Sequence, residues 1–134
     1  MMRYGIDVSP ALRLIREGIV VPDEHKLVAP NLLRSQALST IYREVRSGDL
    51  SAGDARTMLD RLTTMRIRLL GDRVSRATAW AIAEQLGWDD TATAEYVAVA
   101  KLQADAFVTL DADLARAVEG IVTIAPFEAL LSAR

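Results

Sequence analysis

The chain has 134 residues, 51% hydrophobic and 25% charged, with 16 Lys and Arg against 18 Asp and Glu. That length and balance fit one globular domain over residues 1–134 and exclude a disordered or fibrous chain. With no cysteine and a single histidine, His25, disulfides, thiolate metal sites, thiol nucleophiles and every scheme needing a second histidine are excluded. Carboxylate oxygens acting with a hard cation are left as the readiest means to chemistry.

Met2 to Asp7, carrying Tyr4 and Ile6, reads as a first strand that ends on an acid. Ser9 and Pro10 then open a helix, the serine as cap and the proline at the first helical position, and Gly18 stops it. The segment 19–26 is a connection, with His25 a solvated loop residue, and Leu27-Val28-Ala29 is a second short strand. A long helix starts at Pro30-Asn31 and runs to Ser47-Gly48; another starts at Ser51, paired with Asp54 in the manner of a capping box. Arg66 to Leu70 alternates polar and apolar, as a half-buried strand does. Asp72 or Ser75 opens a fourth helix that closes at Gly87. Thr91 to Gln103 is a fifth, apolar nearly all round and so deeply buried. Ala106 to Thr109 is a strand, Ala112 to Val118 a short helix, Ile121 to Ile124 a further strand, and a terminal helix follows Pro126.

The opening residues Met1 to Gly5 contain no apolar h-region, so no targeting segment is expected. The longest apolar stretch, Thr91 to Leu110, contains Glu95, Lys101 and Asp105, so the expectation is a cytoplasmic protein without a membrane span. A net charge of −2 gives no overall attraction to nucleic acid; any such contact has to come from a local basic patch. Strands alternating with helices predict an α/β fold, a central parallel sheet of about five short strands with helices on both faces. In such sheets, sites form beyond the carboxyl ends of the strands, near the point where strand order reverses.

Asp7 ends the first strand, and Asp111, with Asp113 two residues on, follows the strand at Phe107-Val108-Thr109. Acids at two strand ends suit a Mg²⁺ or Mn²⁺ ion held largely through water. The same residues suit helix starts equally well, and spacing alone leaves both readings open.

Asp7-Val8-Ser9-Pro10-Ala11-Leu12, the helix from Pro30 through Arg34 and Gln36, the segment Thr93-Ala94-Glu95-Tyr96-Val97-Ala98-Val99-Ala100 and Val108-Thr109-Leu110-Asp111 follow one another in a fixed order. Together they resemble the PIN-domain family, and the length resembles its VapC-type toxins. The resemblance implies a PIN-like fold and a Mg²⁺- or Mn²⁺-dependent endoribonuclease of a toxin–antitoxin pair. It also implies RNA as substrate, a small antitoxin protein as partner, and a homodimer. Carried across, the first acid is Asp7 and the fourth is Asp111, the two metal ligands, with Asp113 auxiliary; the second position holds Gln36 and the third Thr93. Ser9 and Thr109 fall at hydroxyl positions that would orient the carboxylates. Asp90, three residues before Thr93, is the acid that could replace the missing one. Two readings follow: an endoribonuclease weakened by Gln36 and Thr93, or a degenerate PIN domain that binds RNA or an antitoxin without cutting.

Fourteen of the 16 basic residues are arginine, suited to bidentate phosphate contacts. Arg13, Arg16, Arg34, Arg43 and Arg46 lie on the first two helices, whereas Arg66 and Arg68 share a polar strand face. Aromatic residues make up only 5% of the chain, so stacking platforms for bases are not evident; Trp80 and Tyr96 are expected in the core, and Trp88 at a helix end. Leu38, Ile41, Tyr42, Met58, Leu59 and Leu62 form more apolar surface than one small sheet covers.

Overall fold

Short parallel strands joined by helices make up the computed structural model, which describes residues 2–132. In chain order the elements are β1 (Met2–Ile6), α1 (Val8–Glu17), β2 (His25–Pro30), α2 (Leu33–Arg46), α3 (Ala52–Thr64), β3 (Arg68–Leu70), α4 (Arg73–Leu86), α5 (Ala92–Gln103), β4 (Ala106–Val108) and α6 (Ala112–Val118). A 3₁₀ turn over Phe127–Leu130 stands where a terminal helix is expected. The strands form one parallel sheet in the order β3-β2-β1-β4, flanked by helices. Chain progression runs outward from β1 to β2 and β3 on one side and jumps to β4 on the other. The reversal of strand order therefore falls between β1 and β4.

The sheet has four strands rather than about five. The segment Ile121–Ile124 is spent in two ways: the amides of Ile121 and Val122 turn back to the Val118 carbonyl, and only the Phe107–Ile124 bridge reaches the sheet. Pro126 then ends any extension. β3 is also shorter than the alternating pattern of Arg66–Leu70 predicts, because β2 offers it only Val28–Pro30 as partners. β2 itself runs on to Pro30, and α2 begins three residues later than the Pro30-Asn31 signal suggests.

Gly5 marks a close approach of helix to sheet. A Cβ at this position would lie 2.6 Å from the Cβ and 2.9 Å from the Cα of Ala100, so α5 rests directly on the β1 backbone. That explains the all-round apolar character of α5, whose residues Tyr96 to Ala100 are all buried. A second, smaller core joins α1, α2 and α3 through Ile15, Ala37, Ile41, Ala55, Met58 and Leu62.

Two aromatic expectations are overturned. Trp80 is 65% exposed, because α4 buries the stripe Ala79, Ile82 and Ala83, and Trp80 sits about 100° away from Ala79 around the helix. His25 is not a loop residue: it begins β2, is 5% exposed, and meets the Tyr4 ring edge-on at 5.2 Å between centroids. Its Nε2 is hydrogen-bonded with the Ser132 carbonyl oxygen, and its Nδ1 is buried without a partner among the described residues. Trp88 packs half-buried on the main core, just past the left-handed Gly87 that ends α4. No helix among the described residues is long and apolar enough to cross a membrane.

Candidate active site at the carboxyl edge of the sheet

β1 and β4 are hydrogen-bonded neighbours, with Ile6 opposite Val108, so the residues that follow them meet at one edge. Asp7, not Ser9, is the cap of α1: its Oδ1 accepts from the Ser9 amide at 3.0 Å and from the Ser9 hydroxyl at 2.6 Å. Its Oδ2 accepts from the Thr109 hydroxyl at 2.6 Å. The two hydroxyls are themselves tied to the β4–α6 turn, Ser9 Oγ accepting from the Leu110 amide at 2.9 Å and Thr109 Oγ1 from the Asp111 amide at 3.1 Å. The expected contacts of Ser9 and Thr109 with the first acid are thus present, and together they stitch the two strand ends.

Burial pushes the Asp7 carboxyl above its ordinary value; the hydrogen bonds from Ser9 and Thr109 oppose the rise, and the nearby charge of Asp111 adds to it. Asp111 is exposed and caps α6, its Oδ1 accepting from the amides of Asp113 and Leu114 at 3.0 and 3.1 Å. The helix-start reading is seen directly, each acid being the cap of the helix that follows it.

None of the other candidates shares a hydrogen bond with that pair's carboxylates apart from the Asp113 amide on Asp111. Asp113 points to an ion pair with Arg116. Asp90 accepts from the Ala92 amide at 3.1 Å, a turn at the start of α5, so its carboxylate is engaged locally. Thr93 is exposed in the first turn of α5. Gln36, half-buried on α2, accepts at Oε1 from the hydroxyl of Tyr96 at 2.6 Å. Burial, then the charges of Asp7 and Glu95, push the Tyr96 phenol up, which keeps it a hydrogen-bond donor. Tyr96 belongs to the core, as its helical surroundings predict, yet its hydroxyl reaches the site. The signal available was its place three residues after Thr93, one turn along the same helix.

A protein-held Mg²⁺ or Mn²⁺ ion wants several charged oxygens that are free to converge. Asp7 already accepts three hydrogen bonds, the Gln36 oxygen is taken by Tyr96, and Thr93 brings no charge. Among the described residues no group of three His, Cys, Asp or Glu side chains could hold a metal ion. The residues present do not fit an acid-rich metal centre.

Basic residues of the first two helices are partly committed. Arg13 pairs with Glu17 and lies over the Phe127 ring, 4.2 Å from its centroid; Arg16 makes a two-pronged contact with Glu44 at 3.0 Å on each arm; Arg43 bonds to Ser39 and Thr40.

No family model matches the chain, and no curated protein matches it. Its fold is similar to that in the crystal structure of PAE2754 from Pyrobaculum aerophilum, with a TM-score of 0.72 and 20% identity over 97% of this chain and 93% of that one.

Proposed function

We propose that the chain is a PIN-like domain of the VapC toxin type whose endoribonuclease site has degenerated, leaving a module that binds RNA or an antitoxin-like protein. One observation carries this reading: the second acid position holds Gln36, and its oxygen is occupied by Tyr96 rather than turned to a cation. Only Asp7 and Asp111 remain as charged members, and Asp7 already accepts three hydrogen bonds, from two hydroxyls and an amide. Mg²⁺ and Mn²⁺ binding is correspondingly weak, and no water is activated for attack on a phosphodiester. Leu38 and Tyr42, 53% and 63% exposed and one turn apart on α2, offer apolar surface to an antitoxin helix or a second copy of the chain.

The second reading, a slow endoribonuclease, draws on the retained half of the site: acids at adjacent strand ends with their hydroxyl partners in place. An RNA-cleavage assay in Mg²⁺ or Mn²⁺ separates the two. The degenerate reading expects no cleavage by the natural chain and gain of cleavage in Gln36→Glu combined with Thr93→Asp. Cleavage by the natural chain that disappears in Asp111→Ala would establish the enzyme instead.

A further inference from the structure

A cavity of about 760 Å³ opens at the opposite end of the sheet from Asp7. Its wall includes Arg3, four residues before Asp7 on β1, a separation of roughly 13 Å along an extended chain. The cavity exists because β3 pairs with β2 only from Val28 onward. No strand flanks His25–Leu27 on the side away from β1, and the chain at Arg66-Ile67 stands off from it. Gly18, in a left-handed conformation, is on the wall, and a Cβ there would lie 3.0 Å from the Arg61 guanidinium, which donates to the Ile15 carbonyl at 2.8 Å.

The lining has two characters. Leu14, Ile15, Ile19, Val21, Met65 and Ile67 make an apolar interior. Around it stand Arg3, Lys26, Arg61, Arg66 and Arg68 against one acid, Asp23, on a chain whose net charge is −2. Asp23 is paired with Arg66, and Arg61 is held by backbone carbonyls. The side chains of Arg3, Lys26 and Arg68 have no hydrogen-bond or ion-pair partner among the described residues. Volumes of about 300–1,000 Å³ with apolar walls and a few convergent polar groups are those of small-molecule sites. Even with Asp105, whose Oδ2 accepts from the Arg3 amide at 2.8 Å, cations outnumber acids at the rim, and a net cationic rim selects an anion.

We propose that this cavity binds a small amphipathic carboxylate, its apolar body against the half-buried Ile19, Val21 and Ile67 and its charge between Arg3, Lys26 and Arg68. The site is independent of the Asp7 edge and of the reading given to it.

The test is an NMR titration of the isotope-labelled full chain with octanoate below its micelle concentration and, in parallel, with 1-octanol. Saturable shifts are expected over residues 14–28 and 61–70, with octanoate bound about tenfold more tightly than the alcohol. Arg3→Ser combined with Arg68→Ser, both on exposed positions, should weaken octanoate by about tenfold and leave octanol unchanged. Ile67→Trp, which fills the cavity, should weaken both. Absence of saturable binding, shifts centred on the Asp7 edge, or affinities that ignore the headgroup and the double variant would overturn the proposal.

Discussion

Asp7 Oδ2 and the Thr109 hydroxyl lie 2.6 Å apart across 102 residues of sequence, and this bond closes the carboxyl ends of β1 and β4 onto each other. Thr109→Val keeps the shape and β-branching of the side chain but takes a donor from a largely buried carboxylate. It also takes the acceptor used by the Asp111 amide. A loss of about 1–3 kcal/mol in urea unfolding at neutral pH is expected, with Thr109→Ser close to the natural chain. The same loss measured in an Asp7→Asn background should be smaller, because part of it belongs to the pair; an undiminished loss would mean the contact is incidental.

Asp7 also sets a pH dependence. Its carboxyl titrates higher in the folded chain than the ordinary 3.8, with burial as the leading cause. Between the two values the folded state holds the proton more tightly than the unfolded one, so stability falls as pH rises through that window. The contribution of Asp7 is therefore fully favourable only below its unfolded pKa and is lost at neutral pH. Asp7→Asn, which removes the buried charge, should raise the urea midpoint at pH 7, with the gain shrinking as the pH approaches 4. A gain that widened on acidification would show that the hydroxyl bonds outweigh burial.

Tyr96→Phe leaves the ring in the core and removes only the bond to Gln36. Because Gln36 is half-buried and water can replace the lost donor, the cost should be modest, about 0.5–1.5 kcal/mol by thermal or urea unfolding. The freed Gln36 amide should show the largest side-chain shift in an NMR spectrum of the variant. If that signal stays still, the amide is fixed by something other than Tyr96.

The strands and helices were legible wherever a local signal stood alone. The Ser51 cap, the start of α4 at Asp72 or Ser75, and the stops at Gly18 and Gly87 are written in single residues and their immediate neighbours. Pairing was not legible in this way. The run Ile121–Ile124 has the apolar character of a strand, but its first amides are claimed by the end of α6, and β3 is short because it pairs with β2 only over Val28–Pro30. Burial of single residues behaved likewise. Trp80 faces outward although its neighbours are apolar, and His25 is drawn into a strand by register with Met2, despite a polar flank. At the site, the strand-end acids could be found from order along the chain, and their hydroxyls only through the resemblance to a known family. The hold of Tyr96 on Gln36 could not, since it joins two helices 60 residues apart.

The contact of Gly5 with Ala100 makes the sharpest demand on the fold. A methyl group at position 5 would fall 2.6 Å from the Ala100 Cβ and 2.9 Å from its Cα, and backbone cannot swing aside as a side-chain tip can. Gly5→Ala should therefore push α5 off β1 and cost about 1–3 kcal/mol, as overpacked cores do. Ala100→Gly in the same chain vacates the Cβ half of the clash. It should recover part of the loss even though a glycine inside a helix costs about 1 kcal/mol of its own. Because α5 carries Tyr96, the single variant should also disturb the Tyr96–Gln36 bond, seen as a shift of the Gln36 amide that the double variant reverses. A Gly5→Ala chain as stable as the natural one would show that the helix can ride higher on the sheet at no cost, and the argument for a closely seated α5 would fail.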